Sequence, residues 1–125
     1  MNRSFNEKFE NFLATDLDGT LVGNDLDCAE LFKYLRSNYI NVGLAYITGR
    51  HFESALQLIK ETRLEPPDFL VTDVGTVIHF YKTGSKDEVW QQMMRTDWQP
   101  AEIRRLGSAI KGVIYDDLRV VNVFI

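Results

Sequence analysis

The 125-residue chain is 45% hydrophobic, enough to build one globular unit with a real core and too much for a disordered tail. Fourteen Lys and Arg against eighteen Asp and Glu leave a formal net charge of -4. The basic residues are scattered, which argues against a nucleic-acid partner yet permits a phosphorylated ligand in a local pocket. A single cysteine, Cys28, excludes an intrachain disulfide and fits a reducing compartment. Met1 to Glu10 is polar, without the apolar centre of a signal peptide, and no stretch is long enough to span a bilayer, so no membrane partner is expected and the cytoplasm is the expected location.

In chain order, Asn11 to Thr15 reads as a first strand. Ala29, Leu31, Phe32, Leu35 and Ile40 then recur at helical spacing and predict a helix from Asp27 to about Asn38, capped by Asp25 or Asp27. Val42 to Ile47 is nearly all apolar, as a strand buried on both faces should be. A second helix is predicted after Arg50, with Phe52, Ala55, Leu56 and Ile59 inward, ending before Pro66-Pro67. Phe69 to Thr72 reads as a third strand, and this β-α-β-α-β order implies a parallel sheet with right-handed crossovers. Thr76 to Tyr81 alternates and meets a turn at Lys82 to Lys86. Short helices follow over Val89 to Met94 and from Ala101 to Ile110, the second opened by Pro100, and the tail Leu118 to Ile125 is β-prone. The change of pattern near Lys82 to Asp87 divides the chain into an α/β layer over residues 1–82 and the start of an α+β region over 83–125.

The chemistry concentrates where the first strand ends, in Asp16-Leu17-Asp18-Gly19-Thr20-Leu21. Residues i and i+2 of an extended chain point the same way, so Asp16 and Asp18 would repel each other if both were packed inside; they need a cation, a proton or solvent. Gly19 allows an abrupt turn and Thr20 supplies a hydroxyl. At the end of the second strand Thr48-Gly49-Arg50 offers a hydroxyl and a closely approachable amide for phosphoryl oxygens. The other reading, a Thr helix cap with a Gly easing the turn, gives way once the acidic pair faces it, because ligands of parallel sheets sit at the carboxyl ends of the strands. Arg50 either reaches substrate or lies on the surface at a helix start.

These two segments, with Asp68-Phe69-Leu70-Val71-Thr72-Asp73-Val74-Gly75-Thr76, resemble the haloacid dehalogenase superfamily, and within it the sugar-phosphate phosphatases of the sucrose-phosphate phosphatase and Cof-type branch. The resemblance covers roughly residues 11 to 81. It implies a partial Rossmann-like α/β core carrying the beginning of a cap, and a Mg²⁺-dependent phosphatase acting on a sugar phosphate through an aspartyl-phosphate. Asp16 would be the nucleophile. Asp18 would be the general acid and then base, with its pKa raised by the neighbouring carboxylate. Thr20, Thr48, Gly49 and Arg50 would bind substrate, and Mg²⁺ would be held by Asp16 and the main-chain carbonyl of Asp18.

Asp73 and Val77 depart from the residues common at those places in the branch. Family members also carry, after the cap, a lysine and then an acidic loop that complete the site; no segment here matches either, and Lys82, Lys86 and Lys111 read as surface lysines. Two expectations follow: a shortened phosphatase with impaired activity, or a module acting by binding or by self-association through unpaired strand edges. A phosphoacceptor receiver domain ranks last, because receivers place adjacent acids at the first strand and a separate acceptor at the third.

Overall fold

The computed structural model describes residues 9–112. The predicted β-prone tail, Leu118 to Ile125, lies outside the described residues. Four strands form one sheet in the order β1 (Asn11–Asp16), β2 (Val42–Ile47), β3 (Phe69–Thr72), β4 (Val77–Phe80). The first three are parallel and β4 returns antiparallel to β3, so the sheet is mixed. Helices α1 (Asp25–Asn38) and α2 (Phe52–Glu61) connect the parallel strands, and α3 (Glu88–Arg95) and α4 (Pro100–Gly107) follow the sheet. The architecture is α/β, as expected. Among the described residues no helix is long and apolar enough to cross a membrane.

Burial follows the patterning of each strand. β2 is buried on both faces from Val42 to Tyr46, whereas β1 alternates between half-buried and exposed positions. The core beneath the sheet gathers Leu17, Phe32, Leu44, Tyr46, Ala55, Ile59 and Leu70. Tyr46 is fully buried, and its hydroxyl donates to the Glu65 carbonyl at 2.5 Å, which satisfies the one polar atom that the ring carries inward. Burial is the first cause that pushes its phenol pKa up.

Two details of α1 correct the expectation. Its cap is Asn24, whose Oδ1 accepts from the amides of Leu26 (3.1 Å) and Asp27 (3.2 Å), while Asp25 and Asp27 lie inside the first turn and complement the helix dipole there. Its inner face is Cys28, Phe32 and Leu35; Ala29, Leu31 and Ile40 are exposed. The α2 face is as expected, with Ala55 and Ile59 buried and Phe52 and Leu56 packed against them. α4 ends at Gly107 rather than at Ile110.

Between β3 and β4 the backbone passes through three consecutive left-handed residues, Asp73 (φ 54°), Val74 (φ 59°) and Gly75 (φ 86°). Only the glycine takes this conformation freely; for a residue with a β-carbon it costs roughly 1–2 kcal/mol. Beyond β4 the chain returns through a turn, and Lys86 bridges back to His79 before Asp87 caps α3 by accepting from the Trp90 amide at 2.8 Å.

Candidate active site

The register of the parallel strands brings the two motifs together. Asp16 at the end of β1 pairs with Ile47 at the end of β2, and the Thr48 amide continues the ladder by donating to the Val71 carbonyl at 2.9 Å. Both loops therefore leave the sheet at the same end.

The first loop is built around Leu17, which is fully buried while Asp16 and Asp18 on either side are exposed. The Leu17 carbonyl accepts from the amides of Thr20 (3.3 Å), Leu21 (3.1 Å) and Val22 (2.9 Å), and Gly19 makes this tight turn feasible at φ 73°. Asp16 Oδ1 accepts from the Leu17 amide at 2.8 Å, and the Thr20 hydroxyl donates weakly to Oδ2 at 3.4 Å. The carboxyl is oriented by its own loop and faces outward.

In the second loop Thr48 is buried, and its Oγ1 accepts from the Arg50 amide at 3.1 Å, which leaves the hydroxyl hydrogen to donate elsewhere. Apart from its chain neighbours, no heavy atom lies within 4 Å of where a β-carbon on Gly49 would stand, so the backbone can be approached from that side. The cap of α2 is His51, which accepts from the Ser54 amide at 3.4 Å; Thr48 does not serve as the cap. A cleft of about 420 Å³ opens between the loops, lined by Ala14, Thr15, Asp16, Ile47, Thr48, Gly49, Val74 and Gly75. Thr20 opens instead into a neighbouring cavity of about 350 Å³ with Val22, Asn24 and Cys28, and it reaches the site through its contact with Asp16.

Arg50 lies outside the cleft lining and grips Asp18. Its Nε donates to Oδ2 and its Nη2 to Oδ1, each at 2.9 Å, while Nη1 donates to the Ser54 hydroxyl at 2.8 Å. This fork holds the Asp18 carboxyl below its ordinary pKa, first through the hydrogen bonds and then through charge. The expected rise in that pKa is thus reversed: the two directed charge-assisted bonds from Arg50 outweigh the desolvation that opposes them.

Ser54, Val74 and Gly75 are the participants that sequence reasoning passed over. Ser54 carries a legible signal, one helical turn beyond Arg50, where the two share a face. Lys82, Lys86 and Lys111 are all exposed, and none of them lines the cleft.

The donors suit a hard cation. The Asp16 carboxyl and the Asp18 main-chain carbonyl are oxygen ligands of the kind Mg²⁺ prefers, but no group of three or more His, Cys, Asp or Glu side chains that could hold a metal occurs among the described residues. A divalent ion held by two protein oxygens keeps several waters or takes oxygens from a ligand.

Residues 9–119 match the family of sucrose-6F-phosphate phosphohydrolases. The chain belongs to this family. As a member it falls in the haloacid dehalogenase superfamily, in agreement with the resemblance of its two motifs. It is similar to mannosylfructose-phosphate phosphatase of Agrobacterium fabrum, 31% identical over 110 residues that make up 86% of this chain and 44% of that protein. It is also similar to glucosylglycerol-phosphate synthase of Pseudomonas anguilliseptica, 44% identical over 69 residues, which are 54% of this chain and 9% of that one. Among solved structures, the sucrose-phosphatase of Synechocystis in complex with sucrose and phosphate superposes with a TM-score of 0.77 at 29% identity, over 87% of this chain and 44% of that one. A haloacid dehalogenase-like hydrolase of Bacillus subtilis shares the fold, with a TM-score of 0.64 at 20% identity, over 92% of this chain and 57% of that one. The family member described here therefore spans less than half the length of the two sugar-phosphate phosphatases that it resembles.

Proposed function

We propose that the chain carries the nucleophile half of a Mg²⁺-dependent phosphatase acting on a sugar phosphate in the cytoplasm, with residues 1–82 as core and 83–125 as the start of a cap. The observation that supports this best is the cleft itself: Asp16, Thr48 and Gly49 share it, and Asp18, two residues beyond Asp16, is held by Arg50. Asp16 attacks phosphorus as the P–O bond to the sugar breaks, giving an aspartyl-phosphate; water then cleaves the acyl phosphate and releases inorganic phosphate. Thr48 donates its hydroxyl, and Gly49 its amide, to phosphoryl oxygens. Mg²⁺, when bound by Asp16 and the Asp18 carbonyl, supplies positive charge that offsets repulsion between the carboxylate and the phosphate.

Asp18 must be protonated to serve the leaving sugar oxygen, and Arg50 holds it in the charged form. The pair therefore opens when the phosphoryl group offers the guanidinium a second anionic partner, and the exposed Asp18 then takes a proton from solvent, gives it to the leaving oxygen and afterwards accepts one from the attacking water. The test is a phosphoryl mimic. With Mg²⁺ and beryllium fluoride, ¹⁹F NMR should show one protein-bound fluoroberyllate signal that Asp16→Asn removes; a signal that survives this substitution would sink the assignment.

A second reading, a module that binds or self-associates with little turnover, is favoured by one observation: among the described residues no lysine lines the cleft. In this reading β1, which among the described strands pairs only with β2, offers its other edge to a second chain. Release of phosphate from sucrose 6F-phosphate near background, together with a dimer in light scattering, would favour it over the first.

A further inference from the structure

Val74 and Gly75, which line the cleft together with Asp16, belong to the left-handed turn Asp73-Val74-Gly75, and its construction is unusual. Val74 has φ 59° and ψ 35°, a conformation that a branched β-carbon disfavours, and yet the residue is 63% exposed. The strain therefore gains no packing for the valine. What holds the turn lies behind it: Asp73 is 1% exposed, Thr72 fully buried and His79 2% exposed. The Thr72 hydroxyl donates to Asp73 Oδ2 at 2.8 Å and lies 3.0 Å from His79 Nε2. Since a hydroxyl has one hydrogen, His79 must donate from Nε2, which leaves its Nδ1 as a bare acceptor. Among the described residues neither that Nδ1 nor Asp73 Oδ1 has a hydrogen-bond partner. His79 is stacked on Phe52 of α2, ring centroids 4.2 Å apart.

The backbone of the turn is fixed from three further directions. The Asp73 amide donates to the Arg50 carbonyl at 2.9 Å, the Thr76 hydroxyl to the Asp73 carbonyl at 2.7 Å, and the Trp90 indole N–H of α3 to the Gly75 carbonyl at 3.0 Å. A buried polar cluster that leaves two atoms unsatisfied, beneath a strained and exposed valine, is costly for stability alone. Both costs are explained if the valine is wanted in the cleft.

We propose that Val74 is a specificity-determining residue, an apolar contact for the sugar portion of the substrate, and that Asp73, through Thr72 and His79, is the positioning residue that holds it there. This rests on the sugar-phosphate phosphatase reading. The phosphoryl group meets Asp16, Thr48 and Gly49, and whatever is esterified to it leaves the cleft past Val74, where the apolar face of a sugar ring can lie against the isopropyl group.

The test uses the full 125-residue chain with Mg²⁺ and two probes, inorganic phosphate and sucrose 6F-phosphate, with Kd read from amide shifts by NMR. Val74→Ala should weaken sucrose 6F-phosphate at least five-fold more than it weakens phosphate. Asp73→Ala should reproduce that shift in ratio, and Asp73→Asn, which keeps an acceptor for Thr72, should restore it to within two-fold of the unsubstituted chain. A ratio unmoved by Val74→Ala overturns the proposal, including the case in which Asp73→Ala fails to fold. A ratio moved by Val74→Ala and equally by both Asp73 variants overturns the positioning role. If the unsubstituted chain binds neither probe at Asp16, Thr48 and Gly49, the phosphatase reading itself fails and takes this inference with it.

Discussion

Arg50 and Asp18, 32 residues apart in the chain, meet as a forked pair with both nitrogen-to-oxygen distances at 2.9 Å. The fork joins the two signature loops directly, and it favours the charged form of Asp18, the proposed general acid and base. Replacing Arg50 by Ala should raise the pKa of Asp18, seen as a shift in the titration of its carboxyl carbon by NMR. The same titration in both proteins would mean that the pair does not form in solution. The sign for stability follows from the depressed pKa. The pair contributes above the ordinary carboxyl value of 3.8 and its contribution is lost as pH falls through the folded-state value. With the Asp18 side chain 52% exposed, that contribution is about 0.2–1 kcal/mol.

Thr48 has a structural role and, in the proposed function, a binding one, and two substitutions separate them. Its buried Oγ1 accepts the Arg50 amide, so Thr48→Val leaves that donor unpaired, at about 1–3 kcal/mol of stability. Thr48→Ser keeps the hydroxyl and should lose far less. Urea unfolding measures the first effect, and phosphate binding by NMR the second; binding should be lost with Val and kept with Ser. Equal phosphate affinity for both variants would remove Thr48 from the binding role.

His79 makes stability depend on pH in a predictable direction. Burial, and next the charge of Lys86, hold its pKa below the ordinary 6.5, against the opposing influence of Asp73 and Glu53; Phe52 covers one face of the ring. A histidine kept neutral in the folded state binds fewer protons than it does when unfolded. Stability is therefore full above 6.5 and falls as pH drops from there toward the folded-state pKa. His79→Gln, whose side-chain amide can still donate to Thr72 without titrating, should flatten that slope. Urea midpoints at pH 7.5 and 5.5 for the two proteins decide it, and identical slopes would assign the dependence elsewhere.

Much of this site is written in short stretches of sequence, and the remainder depends on contacts that no local pattern carries. The acids at 16 and 18 are legible because alternation around Leu17 forces both outward, and β2 is legible because a strand covered on two faces has no polar positions to spare. The inner face of α1 is harder, since Ala29, Leu31 and Ile40 extend the apolar periodicity and only the fit of Cys28, Phe32 and Leu35 against the sheet selects the buried stripe. The cap of α1 has the same ambiguity, because Asn24, Asp25 and Asp27 are all good capping residues. Nothing local announces the Asp73-Thr72-His79 cluster. Only the alternation with Val77 hints that His79 faces inward; its partners there, Thr72 at 3.0 Å and Phe52 stacked on its ring, come from elsewhere in the chain.

Gly43 offers a test of how the outer face of the sheet is packed, independent of any chemistry. It sits in β2 opposite Phe12 of β1, and its conformation is one that any residue can adopt, so glycine is not needed there for backbone freedom. The constraint is space. A β-carbon at this position would lie 2.4 Å from Phe12 Cδ2, 2.6 Å from Phe12 Cε2 and 2.7 Å from Phe9 Cγ, well inside contact distance. Phe9 and Phe12 pack edge-to-face with centroids 5.8 Å apart, and both also meet Phe69 of β3, so neither ring can yield without disturbing the other two. Gly43→Ala should therefore destabilise the fold by about 1–3 kcal/mol, the usual cost of overpacking, although alanine is the better residue in most backbones. Gly43→Ala combined with Phe12→Leu should recover part of the loss, since the two changes share one contact and will not add. Urea unfolding of the single and double variants measures the coupling. A Gly43→Ala protein as stable as the parent would show that the aromatic cluster does not cover this face of β2.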